Sequence, residues 1–256
     1  MLAACTGGGS VGGHDPLPAA LQAWVAFPVD ASPRPIVLVD VPVAGPRGFY
    51  GSEKTKVAFA SGAFDRPTHL PTGPASASGF PIITADKAFD LLKSQAKDPP
   101  AGGLRLTISD VRLGESMFLT DRGSRTLPAW LFSMAEVDGP VAVLAIAPEA
   151  QWFPSELGSG QSHDIGATVG SDHRTLTVTF VGAESENGSC GIRYSVRLTE
   201  AHTAVIVTVE GNPNDTTVVC DQVGYPRHAS AVLKAPLGAR VLVDDQGYPF
   251  NAIGSP

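Results

Sequence analysis

Apolar and polar residues alternate along most of the last third of the chain, with the period of two that is typical of half-buried β-strands. Segments with this pattern recur at short spacing at residues 175–181, 192–198, 204–210, 216–220, 230–234 and 240–243. Six short strands at such spacing favour a β-sandwich. Residues 172–256 are therefore predicted to form a β-sandwich-like domain.

The first part of the chain combines helical and strand patterns. Apolar residues at helical spacing predict a short helix within residues 16–24, and a longer helix is predicted after Thr84, a good N-cap residue. The hairpin signal Asp138-Gly139 joins two predicted strands. All the strands predicted in this part lie at residues 36–41, 56–60, 104–108, 129–137 and 141–147. These elements predict an α+β domain with a β-meander over residues 14–150.

A segment without periodicity separates the two regions. Residues 151–171 are rich in Gly, Ser and Pro, which predicts a linker or a long functional loop. The expected fold class is α+β and predominantly β, with an N-terminal α+β domain followed by a C-terminal β-sandwich-like domain. A length of 256 residues fits either one large domain or two of ordinary size.

Composition and charge exclude some classes of protein. Hydrophobic residues make up 43% and charged residues 17% of the chain, as in globular rather than disordered proteins. The formal net charge of −7 is spread along the chain and offers no basic surface for a phosphate backbone, so nucleic acid is not an expected partner. The longest apolar runs are shorter than the about 20 residues that a membrane-spanning helix needs.

The N-terminus carries a candidate lipidation site. Leu2-Ala3-Ala4-Cys5 resembles a bacterial lipobox, and the Gly/Ser-rich stretch that follows is a suitable flexible spacer. Residues 1–13 are therefore predicted to be a lipobox remnant and flexible tether, with a lipid on Cys5. The charged and apolar parts of a signal peptide do not precede this motif, which fits a trimmed chain or a late-assigned start. The competing interpretation is an ordinary cysteine in a flexible N-terminus.

Two further cysteines, Cys190 and Cys220, form an even pair. In an exported chain such a pair predicts a disulfide, which would stabilise the fold by roughly 3–4 kcal/mol in the chain-entropy model. The alternative is two buried free thiols, as expected in a cytosolic protein. No cysteine spacing indicates zinc or a redox motif, and no cofactor is predicted.

The predicted linker contains the best candidate site. His163-Asp164 and Asp172-His173 bracket a loop, and two imidazoles with two carboxylates can bind a metal or act as acid and base. Their spacing matches no metal motif, so the competing interpretation is a solvated surface loop, and neither a metal nor a catalytic residue is assigned. Nearby, Trp152 and Phe153 are candidate ligand-binding residues.

Several segments of the chain resemble lipoproteins of high-GC actinobacteria that have no assigned activity. The resemblance is best from Trp130 to the C-terminus. It rests on Leu127-Pro128-Ala129-Trp130, Asp138-Gly139-Pro140-Val141, Val223-Gly224-Tyr225-Pro226-Arg227 and Ala235-Pro236-Leu237-Gly238. It implies a location at the cell envelope, and it carries over no catalytic residue.

These observations lead to two functional hypotheses of different classes. The first is a non-enzymatic exported lipoprotein on the outer face of the cell membrane, anchored through a lipid on Cys5. It would bind an envelope protein or an extracellular ligand, with a small-molecule site at the junction between the domains. The alternative is an extracellular hydrolase or metal-binding protein that uses His163, Asp164, Asp172 and His173. A third interpretation is a structural accessory of a membrane complex.

Overall fold

The computed structural model describes residues 17–46, 50–94, 103–157, 165–183, 187–215, 217, 219–220 and 223–254. Of the described residues, 43% are in strands and 13% in helices, which confirms the prediction of a predominantly β protein. Among the described helices, none is long and apolar enough to cross a lipid bilayer.

The first part of the chain contains the α-helices and a five-stranded sheet. The helices are α1 Ala19–Gln22, α2 Glu53–Ala60 and α3 Ala85–Ser94. The strands are β1 Val43–Ala44, β2 Phe64–Asp65, β3 Ser76–Ala77, β4 Phe80–Pro81, β5 Leu106–Thr120, β6 Gly123–Met134 and β7 Val141–Leu144. The sheet has the order β1-β7-β6-β5-β2, while β3 and β4 pair with each other. Strands β5, β6 and β7 are antiparallel neighbours, so the predicted β-meander is confirmed.

Helix α3 forms where its sequence pattern predicts it. The hydroxyl of Thr84 accepts a hydrogen bond from the Lys87 N–H at 3.3 Å, which satisfies one of the free donors at the helix start. The side chains of Ala88, Phe89 and Leu92 are buried on one face. That face packs into the same hydrophobic cluster as Phe132 and Val143 of the five-stranded sheet.

Helix α2 corrects a prediction, because residues 56–60 were expected to form a strand. The hydroxyl of Ser52 accepts a hydrogen bond from the Thr55 N–H at 3.1 Å and begins a helix. Burial then follows a helical pattern, with Ala58 in the core and Val57 49% exposed. The local cap and this packing outweigh the β-propensity of Val57 and Phe59.

Residues 36–41 and 216–220 also differ from the strand prediction. Between Pro35 and Pro42 only isolated bridges form, from Ile36 to Gln151 and from Leu38 to Thr120. Prolines at both ends limit the backbone donors available for a longer ladder. In the second segment, the described residues 217, 219 and 220 are not in a strand.

The last third of the chain forms two further sheets. Its strands are β8 Ile165–Val169, β9 Thr175–Gly182, β10 Ile192–Glu200, β11 Ala204–Pro213, β12 Tyr225–Val232, β13 Val241–Val243 and β14 Ala252–Ile253. The sheet orders are β12-β9-β8-β14 and β10-β11-β13, and apolar side chains of both sheets share one hydrophobic cluster. Strand β8 lies within residues 151–171, where the composition predicts a linker or loop. The boundary between domains stays a prediction.

The N-terminal segment packs against this last third. Trp24 is fully buried, and its indole N–H donates a hydrogen bond to the Gly247 carbonyl at 2.9 Å. Trp24 and Phe27 belong to the same apolar cluster as Ile206 of β11 and Val241 of β13. Residues far apart in sequence are therefore held together at one end of the molecule.

The predicted disulfide is confirmed. Cys190 and Cys220 are bonded, with their Cα atoms 5.6 Å apart, within the usual range for a disulfide. Cys190 precedes β10 and Cys220 precedes β12, so the bond links the approaches to strands of two different sheets.

Candidate functional site

An open cavity of about 810 Å³ lies where the β5–β6 turn meets the last third of the chain. Its volume is within the range of ligand-binding sites in proteins. Five separate stretches of the chain contribute its lining: Arg34, Arg122, Arg125, Val169, His173, Pro236, Leu237, Gly238, Ala239, Ala252 and Gly254. We refer to it as the junction cavity.

Asp121, in the β5–β6 turn, is bonded to Arg34, one of the residues that line the cavity. Its side chain is 2% exposed, and its carboxylate accepts two hydrogen bonds from the Arg34 guanidinium, one of them 3.2 Å from Nη1. Its backbone N–H donates to the Val37 carbonyl, and its carbonyl accepts from the Ala252 N–H, each at 3.0 Å. The Arg34 guanidinium also lies over the Phe27 ring, 4.9 Å from the centroid. One buried residue thus joins the turn to the N-terminal segment and to β14.

Residues 236–239 form one wall of the cavity, and arginine side chains hold their backbone. Nη2 of Arg122 donates to the Gly238 carbonyl at 2.7 Å, and Nε of Arg34 donates to the Ala239 carbonyl at 3.1 Å. Hydrogen bonds from charged donors are among the stronger ones in proteins. Side chains from two distant segments therefore fix this wall without regular secondary structure.

A largely buried ion pair between Glu200 and Arg240 stabilises the backbone at the start of the same wall. Nη1 of Arg240 lies 2.8 Å from Oε2 of Glu200, while Nη2 of Arg240 donates to the carbonyls of Ala235 and Pro236. Burial opposes the ionisation of Glu200. Hydrogen bonds from the Lys234 N–H and from Arg240 outweigh this effect and lower the pKa of the Glu200 carboxyl below its ordinary value.

The cavity has an excess of positive charge. Of its described lining residues, three are arginines and none is acidic; the Asp121 carboxylate is bonded to Arg34. Burial lowers the pKa of the Arg122 guanidinium; nearby Asp121 opposes this shift and Arg34 adds to it. Three arginines and one aspartate leave two positive charges at this site, on a chain whose net charge is −7.

His173 reaches the cavity from the turn between β8 and β9. Its φ is 57°, in the left-handed region that non-glycine residues rarely adopt, and its carbonyl accepts a hydrogen bond from the Leu237 N–H at 2.8 Å. The neighbouring Asp172 carboxylate accepts from the backbone N–H groups of Arg174 and Thr175, and from the Thr175 hydroxyl at 2.6 Å. These bonds, first of all the one from the Thr175 hydroxyl, lower the pKa of Asp172 to about 2. The carboxylate of Asp172 therefore stabilises the turn that carries His173.

The predicted aromatic residues lie beside this site and not in its lining. The Trp152 ring meets the Phe27 ring edge to face, with centroids 5.9 Å apart, and Phe27 in turn lies under Arg34. The indole N–H of Trp152 is buried, and no described group accepts a hydrogen bond from it. Phe153 is 42% exposed. Trp152 is thus connected to the lining residue Arg34 through Phe27.

The other predicted residues are only partly within the described structure. Cys5, His163 and Asp164 lie outside the described residues, so lipidation and the four-residue acid–base or metal site stay predictions. Of that site, Asp172 and His173 are described, and they occupy one turn. Within the described part of the chain, no group of three or more His, Cys, Asp and Glu side chains is placed to hold a metal ion.

Sequence reasoning missed the arginines that line the cavity. None of Arg34, Arg122 and Arg125 stands in a sequence motif that marks a functional residue. Their sequence separation hides the relationship, since the Arg34–Asp121 contact joins residues 87 positions apart. The one available signal was the Ala235–Gly238 segment of the lipoprotein resemblance, three residues of which line the cavity.

Comparison with known proteins adds no relative: no protein-family model matches the chain, and no curated protein or solved structure is significantly similar to it.

Proposed function

We propose that this chain is a non-enzymatic binding protein of the cell envelope, whose ligand or protein partner engages the junction cavity. The observation that carries the proposal is the cavity itself, with walls fixed by hydrogen bonds between segments far apart in sequence. A site organised before binding loses less conformational entropy when its ligand arrives. Hydrogen bonds from Arg34 and Arg122 to the 236–239 wall give the cavity this organisation.

Export and anchoring are part of the same proposal. The Cys190–Cys220 disulfide supports export, because such bonds persist in oxidising compartments and are rare in the cytosol. The lipobox-like Leu2-Ala3-Ala4-Cys5, with its Gly-rich spacer, supports a lipid anchor on Cys5. The resemblance to actinobacterial lipoproteins points to the same location. The protein would then lie on the outer face of the cell membrane.

We further propose that residues 14–150 form an α+β domain and residues 172–256 a β-sandwich-like domain. A hydrophobic cluster shared by the two sheets of the last third supports a β-sandwich-like arrangement of residues 172–256. The helices α2 and α3 against the five-stranded sheet support an α+β arrangement of the preceding part.

The location is tested by the intact mass of protein extracted from membranes of a bacterium that expresses the full reading frame. We expect a diacylglyceryl-sized addition on Cys5 and a gain of about 2 Da on reduction of the disulfide. A soluble, unmodified and fully reduced chain would overturn the envelope assignment.

The place of binding is tested by photo-crosslinking in the native envelope. A photoreactive amino acid replaces Pro236, an exposed residue that lines the cavity, or Arg112, an exposed residue on strand β5. We expect an adduct that forms from position 236 and not from position 112. Equal adducts from both positions, or none from position 236, would refute binding in the cavity.

A further inference from the structure

We infer that the junction cavity binds an oxyanion, a phosphate, sulfate or carboxylate group of the ligand, through the guanidinium groups of Arg122 and Arg125. This inference deepens the proposed function and rests on it, since it names the chemical class of ligand for the same cavity. It is argued from the charges and the free donors of the lining residues.

The first observation is the separation of charges around the cavity. Arg122 and Arg125 line it, whereas the carboxylate of Asp121 is buried, makes its two hydrogen bonds with Arg34 and lies 3.7 Å from Nε of Arg122. The other carboxylates nearby are also engaged: Asp172 by its own turn and Glu200 by Arg240. The positive charge of the lining is therefore only partly neutralised from within the protein.

The second observation is that the two arginines keep unused donors. Nη2 of Arg122 donates hydrogen bonds to the carbonyls of Gly238 and Arg240. Its Nε lies 3.7 Å from Oδ2 of Asp121, which is too far for a hydrogen bond. Across the described residues, Nη1 of Arg122 and the whole guanidinium of Arg125 have no hydrogen-bond acceptor. Guanidinium donors match the paired oxygens of phosphate and carboxylate groups better than any other side chain.

The third observation is that Arg122 is held and partly removed from water. Its side chain is 27% exposed, and its Nη2 bonds to the cavity wall fix the direction of the guanidinium. An anion meeting a partly dehydrated and immobile guanidinium interacts more strongly than one at a free surface arginine. His173, held in a left-handed conformation at the cavity rim, is a further polar group beside this position.

An arrangement needed only for stability would not include Arg125. Arg34 and Arg122 both tie the wall and the turn together, and their positions follow from that role alone. Arg125 is exposed and contributes no ion pair or hydrogen bond from its side chain within the described structure. It nevertheless lines the same cavity. Its placement is explained by a ligand.

The test is calorimetric titration of the purified full chain with sodium phosphate and with sodium sulfate, against sodium chloride at matched ionic strength. We expect saturable binding of the oxyanions, at least about tenfold weaker for Arg125→Gln, as for the loss of one charged hydrogen bond. The matched control, Arg112→Gln, removes an equal charge from the same hairpin and should bind as the unmodified chain does. A second variant, Arg122→Lys, keeps the charge and loses the fork-shaped donor pair, and should also weaken binding.

The same oxyanion can belong to a soluble ligand or to a lipid headgroup. Vesicles of phosphatidylglycerol in phosphatidylcholine, against phosphatidylcholine alone, separate these sources. Capture by the anionic vesicles that Arg125→Gln abolishes and Arg112→Gln retains indicates a headgroup. Saturable phosphate binding without vesicle capture indicates a soluble ligand. Both results support an oxyanion site.

The inference is overturned if phosphate and sulfate behave as chloride does, or if Arg125→Gln and Arg112→Gln weaken binding equally. Its failure is distinct from failure of the proposed function. The lipid on Cys5 and the crosslink at position 236 are measured separately from anion affinity. A crosslink without oxyanion binding would leave the cavity as a binding site for an uncharged ligand or partner.

Discussion

Replacing Asp121 by asparagine should destabilise the protein by about 2–3 kcal/mol. Asparagine keeps the shape of the side chain and the two backbone hydrogen bonds, but it removes the charge that compensates Arg34. Breaking a buried ion pair by neutralising one partner costs about 3–5 kcal/mol. Because Arg34 remains 21% exposed, its guanidinium can recover part of its hydration, which brings the expected cost to about 2–3 kcal/mol.

The assay is urea unfolding, followed by fluorescence of the buried Trp24 and Trp130. Thermal unfolding with the same fluorescence signal gives a second readout: a chain of this size loses about 2–4 °C of Tm per kcal/mol, so Asp121→Asn should lower Tm by about 4–12 °C. The matched control is Asp110→Asn, an exposed aspartate on the same hairpin, which should stay within about 0.5 kcal/mol of the unmodified chain.

A double-mutant cycle assigns this loss to the ion pair. Arg34→Gln and Asp121→Asn are measured separately and together, and we expect a coupling free energy of about 2 kcal/mol. If the coupling is near zero, or if Asp121→Asn costs no more than Asp110→Asn, the Asp121–Arg34 contact does not hold the junction and the reasoning is wrong.

Three further predictions concern other parts of the same architecture. Replacing both Cys190 and Cys220 by serine should cost about 3.5–4 kcal/mol, the loop-closure value for a separation of 30 residues, and a loss under about 1 kcal/mol in urea unfolding would contradict it. Glu200→Gln should lower Tm at neutral pH. Because the folded-state pKa of the Glu200 carboxyl lies below its ordinary value of 4.5, the ionised carboxylate stabilises the fold at pH values above 4.5. This stabilisation is lost as pH falls through the folded-state pKa. Asp172→Asn should also lower Tm at neutral pH. The difference in Tm between this variant and the unmodified chain should shrink from about pH 4 downward and disappear below about pH 2, where Asp172 is protonated in the folded and the unfolded state. An undiminished difference in Tm at about pH 2 would refute the role of the carboxylate.

Local patterns predicted those elements whose signals are themselves local. The Asp138-Gly139 turn and the strands predicted on either side of it correspond to β6 and β7 of the β-meander, and the cap at Thr84 predicted α3, because turn and cap residues act on their immediate neighbours. The strand predicted at residues 56–60 failed for the same physical reason. Ser52 begins a helix there, and the propensities of Val57 and Phe59 were weaker than that cap and the packing of α2.

The candidate site could be predicted only in outline. Of the residues predicted for a site, His173 lines the cavity; the predicted site at a junction between domains stays a prediction. The arginines could not be found, because nothing local to Arg34 indicates its hydrogen bond to Ala239, 205 positions away. A single sequence shows the periodicity of apolar residues and the residues that favour turns. It does not show which distant loops contact each other in the folded chain.

The N-terminal segment explains why the aromatic residues and the charged cavity belong to one arrangement. Burial of Trp24 against Gly247 fixes this segment on the last third of the chain, and Phe27 follows on the same apolar cluster. Phe27 then contacts Trp152 on one side and supports the Arg34 guanidinium on the other. Since Arg34 makes both hydrogen bonds to the Asp121 carboxylate, Arg122 keeps only a 3.7 Å contact with it, and the Arg125 side chain has no partner among the described residues. Apolar burial near the N-terminus thus influences the charge of a cavity whose arginines lie some 90 residues further along the chain.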